Sequence, residues 1–295
     1  MFAIQAKVFI DGTGDADLAV LAGAPFIKGD AHGRMMPGTL CSLWAGINWR
    51  TVRRSGLGRG NAFMEQAFKD GVFTIKDRHL PGMWRVGETL GGGNLGHAFN
   101  LDGTDEESLT RAYVTGRKLL PEYEAYYKRY FKGYEKMELA ATGSLMGVRE
   151  TRRIVADYEL KLDDFKRRAV FDDEIGRYAH PVDIHVSGPD KKSYDSFRKR
   201  FKTLRLGRGE SYGIPYRILI PQGISNLLVA GRCVGTDRYV QASLRVMPGC
   251  YITGQAAGVA AAMSMLRRND VRAIDVRQLQ DRLKTMGAYL PNAAV

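Results

Sequence analysis

Cysteine is scarce in this chain and follows no pattern. Cys41, Cys233 and Cys250 are odd in number, far apart in sequence and form no C-x-x-C pair. That usage argues against a disulfide framework and a cysteine-based zinc site, and it fits a reducing compartment. No metal site is expected. The opening residues, MFAIQAKVFIDGTG, lack a charged segment followed by a long apolar run, so no secretory signal is expected and a cytoplasmic location follows. Long uncharged stretches are also rare. Residues 246–265 form one, long enough to cross a bilayer, with Gly254 and Gly258 spaced as in a transmembrane dimer face. Pro248, Thr253, Gln255 and many glycines and alanines keep its hydrophobicity low. A core helix is the preferred reading, and no membrane partner is expected.

Acidic residues are outnumbered, 32 against 44 Lys and Arg, which leaves a formal net charge of +12. The excess favours anionic ligands such as dinucleotides, carboxylates or polyanions, without choosing among them. Apolar residues at 44% and charged residues at 26% are ordinary for a soluble globular protein. The length allows a sizeable core and two domains.

The most informative stretch is residues 226–265. It opens with an apolar run at 227–230, expected as a strand buried on both faces of a parallel sheet. Gly231-Arg232 turns the chain, residues 234–244 read as a polar loop, and a small-residue helix runs from Met247 to Leu266. A strand, a glycine turn and a helix N-terminus together suit a polar or anionic ligand edge, because backbone N–H groups and the helix dipole point at it. In such a helix Gly254 and Gly258 are expected to allow close approach to a sheet.

The segments LLVAGRCVG and SLRVMPGCYITGQAAGVAAA resemble the C-terminal FAD-closing segment of a large family of FAD-dependent oxidoreductases. The resemblance extends to VFIDGTGD at 8–15, GVRETRRI at 147–154 and HPVDIH at 180–185, in the family's order and over most of the chain. Each motif alone is weak; the set is specific. It implies FAD as cofactor, a glutathione-reductase-like FAD fold, and hydride transfer between flavin and a small organic substrate, anionic compounds included. In that family the strand–Thr-Gly–helix unit, here at 6–22, is the last Rossmann piece before the substrate domain. A strand–GxGxxG–helix unit precedes it. This chain therefore looks like the family without its N-terminal dinucleotide-binding half. It would be a fragment, one half of a split enzyme whose partner chain supplies the rest, or a non-catalytic binding subunit.

The fold class expected is α/β, a partial FAD-binding Rossmann-like domain with an inserted mixed α+β substrate domain. The boundaries expected are 1–30 and 215–266 for the FAD domain, 31–214 for the substrate domain and 267–295 for a helical tail. Within the insertion, a GxGxxG occurs at 91–96, but no buried strand leads into it and no helix opens from it, so a flexible loop is expected rather than a phosphate cradle. Arg50, Arg53, Arg54 and Arg59 read as a solvated basic patch. Residues 61–69 suggest a short helix. A long helix is expected over 105–131, with Thr104 and Glu107 as a capping box and Leu109, Tyr113, Leu120, Tyr123, Tyr127 and Tyr130 as a core stripe. Residues 191–208 interleave basic side chains with Tyr194, Phe197 and Phe201, a mixture that suits nucleic acid. No nucleic-acid module accompanies it, so a solvated insertion is preferred. A basic nucleic-acid- or polyanion-binding protein is the rival class. Residues 274–286 form an amphipathic terminal helix.

For catalysis the chemistry needs a base near the bond that is oxidised, and histidine titrates nearest neutral pH. His97, His180 and His185 are available. His185 is preferred, because PVDIH matches a family motif placed near the ring, and His97 follows. By the same resemblance Arg149, Tyr216 and Arg217 line the substrate side. Gly231, Arg232, Met247, Pro248 and Gly249, with Thr13, Gly14 and Asp15, hold the cofactor. Cys233 receives no role.

Overall fold

The computed structural model describes residues 3–57, 60–201 and 204–293. Arg59 of the basic patch, and Lys202 and the Phe201 side chain of the basic–aromatic run, lie outside what is described. The chain opens with β1 (Phe9–Asp11), α1 (Asp17–Leu21), β2 (Phe26–Lys28) and β3 (Ser42–Ala45). There follow α2 (Trp49–Ser55), α3 (Met64–Lys69), β4 (Gly82–Arg85), β5 (Gly91–Asn94), α4 (Glu106–Tyr130) and β6 (Glu138–Thr142). Next come β7 (Arg152–Ile154), α5 (Leu162–Lys166), β8 (Glu174–Tyr178), α6 (Lys191–Phe201) and β9 (Tyr212–Pro215). After a 3-10 turn at Tyr216–Leu219, the chain ends with β10 (Leu227–Val229), α7 (Arg238–Leu244), α8 (Met247–Ser264) and α9 (Val276–Thr285).

The chain divides into two compact units. Residues 1–34, 150–184 and 200–295 form the first, and residues 35–149 and 185–199 the second. These boundaries differ from the expected ones. Residues 150–184 belong with the chain ends because β7 pairs with β2 and β8 with β9. The terminal helix α9 is no separate tail: its Gln280 side chain donates to the Asp172 and Glu174 carbonyls, and Leu279 and Leu283 are buried.

In the first unit β1 and β10 pair in parallel, with Phe9 opposite Leu227 and Asp11 opposite Val229. All three β10 side chains are buried, as expected of a strand covered on both faces. Residues 234–244 are not a loop throughout. Asp237 accepts from the Val240 N–H and starts α7, whose polar face had hidden its helical character. In α8 the buried positions are Gly249, Thr253, Ala256, Ala257, Ala260, Met263 and Ser264, all small but Met263. Small side chains at this spacing let the helix approach its neighbours closely. Gly249 is the tightest point, since a Cβ there would sit 2.2 Å from the Leu244 carbonyl oxygen. Gly254 and Gly258 do not play that part: both are exposed, and a Cβ at either would meet nothing. Gly254→Ala should therefore raise stability, by about 0.5–1 kcal/mol, through reduced unfolded-state freedom and better helix propensity. Urea denaturation followed by circular dichroism measures this. Among the described residues no helix is long and apolar enough to cross a membrane.

The second unit is built on an antiparallel sheet in the order β4-β5-β3-β6. Against the loop expectation, Gly91-Gly92-Gly93 is strand β5. Its glycines are bare because large side chains cover it: a Cβ on Gly92 would lie 2.8 Å from the Trp84 ring and one on Gly91 2.7 Å from Ile47. The long helix α4 matches its expected span, but Asp105, not Thr104, caps it by accepting from the Ser108 N–H. Thr104 instead donates its hydroxyl to Asp102. Of the expected stripe, Leu120, Tyr123 and Tyr127 are buried among Trp44, Phe73, Phe131 and Tyr134, with Leu119 and Tyr126 beside them, whereas Leu109, Tyr113 and Tyr130 are only partly buried.

Candidate active site

In the first unit the expected cofactor residues gather around the β1–α1 turn. Asp11, at the end of β1, is buried, and its carboxylate accepts from the Thr13 N–H and hydroxyl and from the Ala19 N–H. Three donors fix the turn that the sequence DGTGD begins. The Thr13 hydroxyl in turn accepts from the Asp17 N–H at the start of α1. Gly14 has φ +78°, and a Cβ there would fall 2.5 Å from the Arg232 guanidinium. Glycine is needed at this position for both reasons. Arg232 thus lies across the turn and pairs with Asp15 at 2.7 Å, while its buried Nε has no hydrogen-bond partner among the described residues.

Gly231 (φ +87°) makes the turn after β10, and its N–H donates to the Thr253 hydroxyl on α8. The helix start lies close by, since a side chain at 231 would meet the Cys250 sulfur. Helix α8 carries Pro248 in its first turn, no acidic residue there and no side-chain cap, so the positive end of its dipole is uncompensated. Thr13, Gly14, Asp15, Gly231 and Arg232 are in this way held by one connected set of turns within the first unit, and Met247, Pro248 and Gly249 form the start of α8.

The GVRETRRI motif feeds the same region. The Thr151 hydroxyl donates to Asp15, and Arg152 reaches the Asp15 carbonyl and Asp17. Glu150 is fully buried between Arg153 at 2.8 Å and Arg238 at 3.0 Å. The first part of the HPVDIH motif is anchored in this unit as well. Asp183 pairs with Arg245 of the SLRVMPG segment, and Ser243 donates to the His180 carbonyl.

In the second unit His97 and His185, 88 positions apart, are brought together. His97 Nε2 lies 2.8 Å from His185 Nδ1, and both side chains are buried. His97 Nδ1 lies 2.9 Å from Asp77 Oδ2, also buried. Two lone pairs would repel at this distance, so Nδ1 carries the proton and Nε2 is the acceptor toward His185. His185 then holds its proton on Nδ1 and presents a lone pair on Nε2. Burial opposes ionisation of Asp77, but His97 beside it and the hydrogen bond from the His79 N–H outweigh burial and hold the carboxyl below its ordinary range.

His79 completes the group, with its ring centroid 4.4 Å from that of His185. It is the partly exposed member. Neither Asp77 nor His79 was singled out from sequence. The D-x-H spacing in Asp77-Arg78-His79 was the available signal, and it is weak without the third dimension. Arg149 is buried and donates to the Pro37 carbonyl and the Thr39 hydroxyl, which itself donates to the Gly96 carbonyl beside His97. It props the loop that carries His97.

Two expected residues have scaffold contacts in the first unit. The buried Tyr216 donates its hydroxyl to the Val271 carbonyl, and burial raises its pKa. Arg217 pairs with Asp173 and lies over the Tyr158 ring. Cys233 is buried, which pushes its thiol up to about 12 and leaves it inert.

The model of the family described as FAD dependent oxidoreductase matches residues 1–283. This chain belongs to that family. No curated protein and no solved structure matches the chain. The family's cofactor is FAD, and the first unit of this family member fits it in three respects. Arg232 keeps a buried Nε in need of an acceptor, Gly14 and Gly231 hold the backbone open, and α8 starts without an acid or a cap.

Proposed function

We propose that this FAD dependent oxidoreductase family member catalyses hydride transfer between a small organic substrate and flavin, with His185 as the proton acceptor. The observation that carries the reading is the buried series Asp77, His97, His185, in which each ring orients the next. FAD, when bound, supplies the two-electron chemistry by accepting hydride. Arg232, Gly14, Gly231 and the start of α8 hold it, and Asp15 fixes the Arg232 side chain. His97 stabilises the imidazolium that forms on His185, and Asp77 keeps the His97 tautomer. The substrate class is a hydroxy or amino compound whose ionisable proton His185 removes.

The outer side of β1 supports a second element of the proposal. Among the described residues β1 pairs only with β10, and Ile10, Leu18 and Leu21 beside it are exposed. We read this face as the seat of a further strand-bearing segment, on a partner chain or on the same polypeptide, that completes the dinucleotide-binding sheet.

An absorbance spectrum of the purified chain, before and after FAD is added and the excess removed, tests cofactor binding. A retained flavin band is expected, strengthened if the completing segment is supplied. Arg232→Ala should weaken retention by on the order of tenfold to a hundredfold, the loss of one charged hydrogen bond. A chain that stays colourless even with that segment would overturn the reading.

A further inference from the structure

We infer that His79, His97 and His185 form a binding site for one divalent first-row transition-metal ion, with Asp77 as the outer carboxylate that orients His97. The chain has five histidines, and three of them offer ring nitrogens that all lie within 4.8 Å of one another. Two of the three are buried, so this is not a chance gathering on a surface. Imidazole suits zinc, copper, iron and nickel, whereas magnesium and calcium prefer oxygen donors, and that sets the ligand class.

The geometry is close to what an ion requires. Zn–N bonds of about 2.0–2.1 Å put tetrahedral ligand nitrogens roughly 3.3 Å apart. His97 Nε2 and His185 Nδ1 stand at 2.8 Å, the length of a shared N–H···N bond. An ion replacing the shared proton asks these nitrogens to part by about half an ångström, a small rotation of either ring. Asp77 stands to His97 as an outer carboxylate stands to a metal-bound imidazole: it faces the Nδ1–H and leaves the Nε2 lone pair facing inward. Phe99 flanks His97, and Tyr194 and Phe197 flank His79, so much of the rim is aromatic. His79 alone is partly exposed, which supplies an entry path and a coordination position open to a further ligand.

All four residues lie in the second unit and none is assigned to FAD, so the inference does not rest on the flavin reading. It does constrain it. With an ion on its Nδ1, His185 carries its proton on Nε2 and cannot accept another, so metal binding and the proposed proton transfer are alternative uses of one cluster.

The test uses the full chain, chelator-treated and without added FAD, titrated with Co2+ and followed by its visible d–d bands. One equivalent of Co2+ should bind, with bands of a nitrogen-ligated site, and Zn2+ should displace it. Asp77→Asn should weaken binding by roughly tenfold to a hundredfold, and His79→Ala by more, since it removes a ligand rather than its support. His32→Gln, an exposed site elsewhere, should bind as the unaltered chain does. His79 is the variant least able to disturb folding, and circular dichroism verifies it. No saturable Co2+ uptake by the unaltered chain would overturn the inference, and so would uptake unchanged in folded His79→Ala.

Discussion

Glu150→Ala should destabilise the chain by about 3–5 kcal/mol, the cost of removing one partner from a buried ionic network. Glu150 is fully buried and accepts from Arg153 Nη1 at 2.8 Å and from Arg238 Nε at 3.0 Å. Arg153 is itself buried, and burial, with the nearby Arg238 charge, lowers its pKa despite the neighbouring carboxylate. Alanine would leave the buried Arg153 guanidinium without its carboxylate and facing the Arg238 guanidinium. The loss would spread, because Arg153 also donates to the Gly29 carbonyl and Arg238 stands at the start of α7. Urea denaturation of the two proteins measures the cost. The double variant Glu150→Ala/Arg153→Ala should be less destabilised than the two single costs added, since one unpaired charge is gone. Additive losses would show that the three side chains do not act as a unit.

His185→Gln should lower the rate of flavin reduction by on the order of 10²–10⁴-fold in chelator-treated, FAD-loaded protein, the usual contribution of a general base. Glutamine can still hydrogen-bond to His97 Nε2, so the cluster keeps its shape, but it cannot take up a proton. The loss belongs in kcat more than in KM, because proton removal happens in the transition state and not on binding. His97→Gln should have a smaller effect, because it acts through His185 rather than on substrate. The reading is separable from the cofactor assignment: His185→Gln should retain the flavin band unchanged. A variant that holds FAD and is reduced at the original rate would remove His185 from the base role and leave the family membership untouched.

Local pattern made several elements legible. The buried strand at 227–229, the glycine turn at 231 and the helix from Met247 all follow from runs of apolar or small residues broken by one glycine. Helix α4 follows from its periodicity, and Leu120, Tyr123 and Tyr127 of its expected stripe are core. The failures share a physical cause. Gly91-Gly92-Gly93 has loop composition, yet it is a strand because Trp84 and Ile47 fill the space that side chains would occupy. Gly254 and Gly258 have the spacing of a contact face, yet they point outward, because the burial of α8 is decided by Gly249, Thr253 and the alanines.

The candidate site divides the same way. The proposed cofactor residues lie in short contiguous motifs whose turn chemistry is local, so the glycine turns at Gly14 and Gly231 and the start of α8 were legible in the sequence. His97 and His185 were among the histidines the sequence offered as bases. Only the tertiary structure decided that the two rings touch across 88 positions, that Asp77 stands behind one of them and that His79 joins them. Nothing in composition or period encodes a meeting of that kind. Local propensities govern a turn within a few residues, whereas contacts between distant segments are set by how the sheet and the aromatic core bring those segments together.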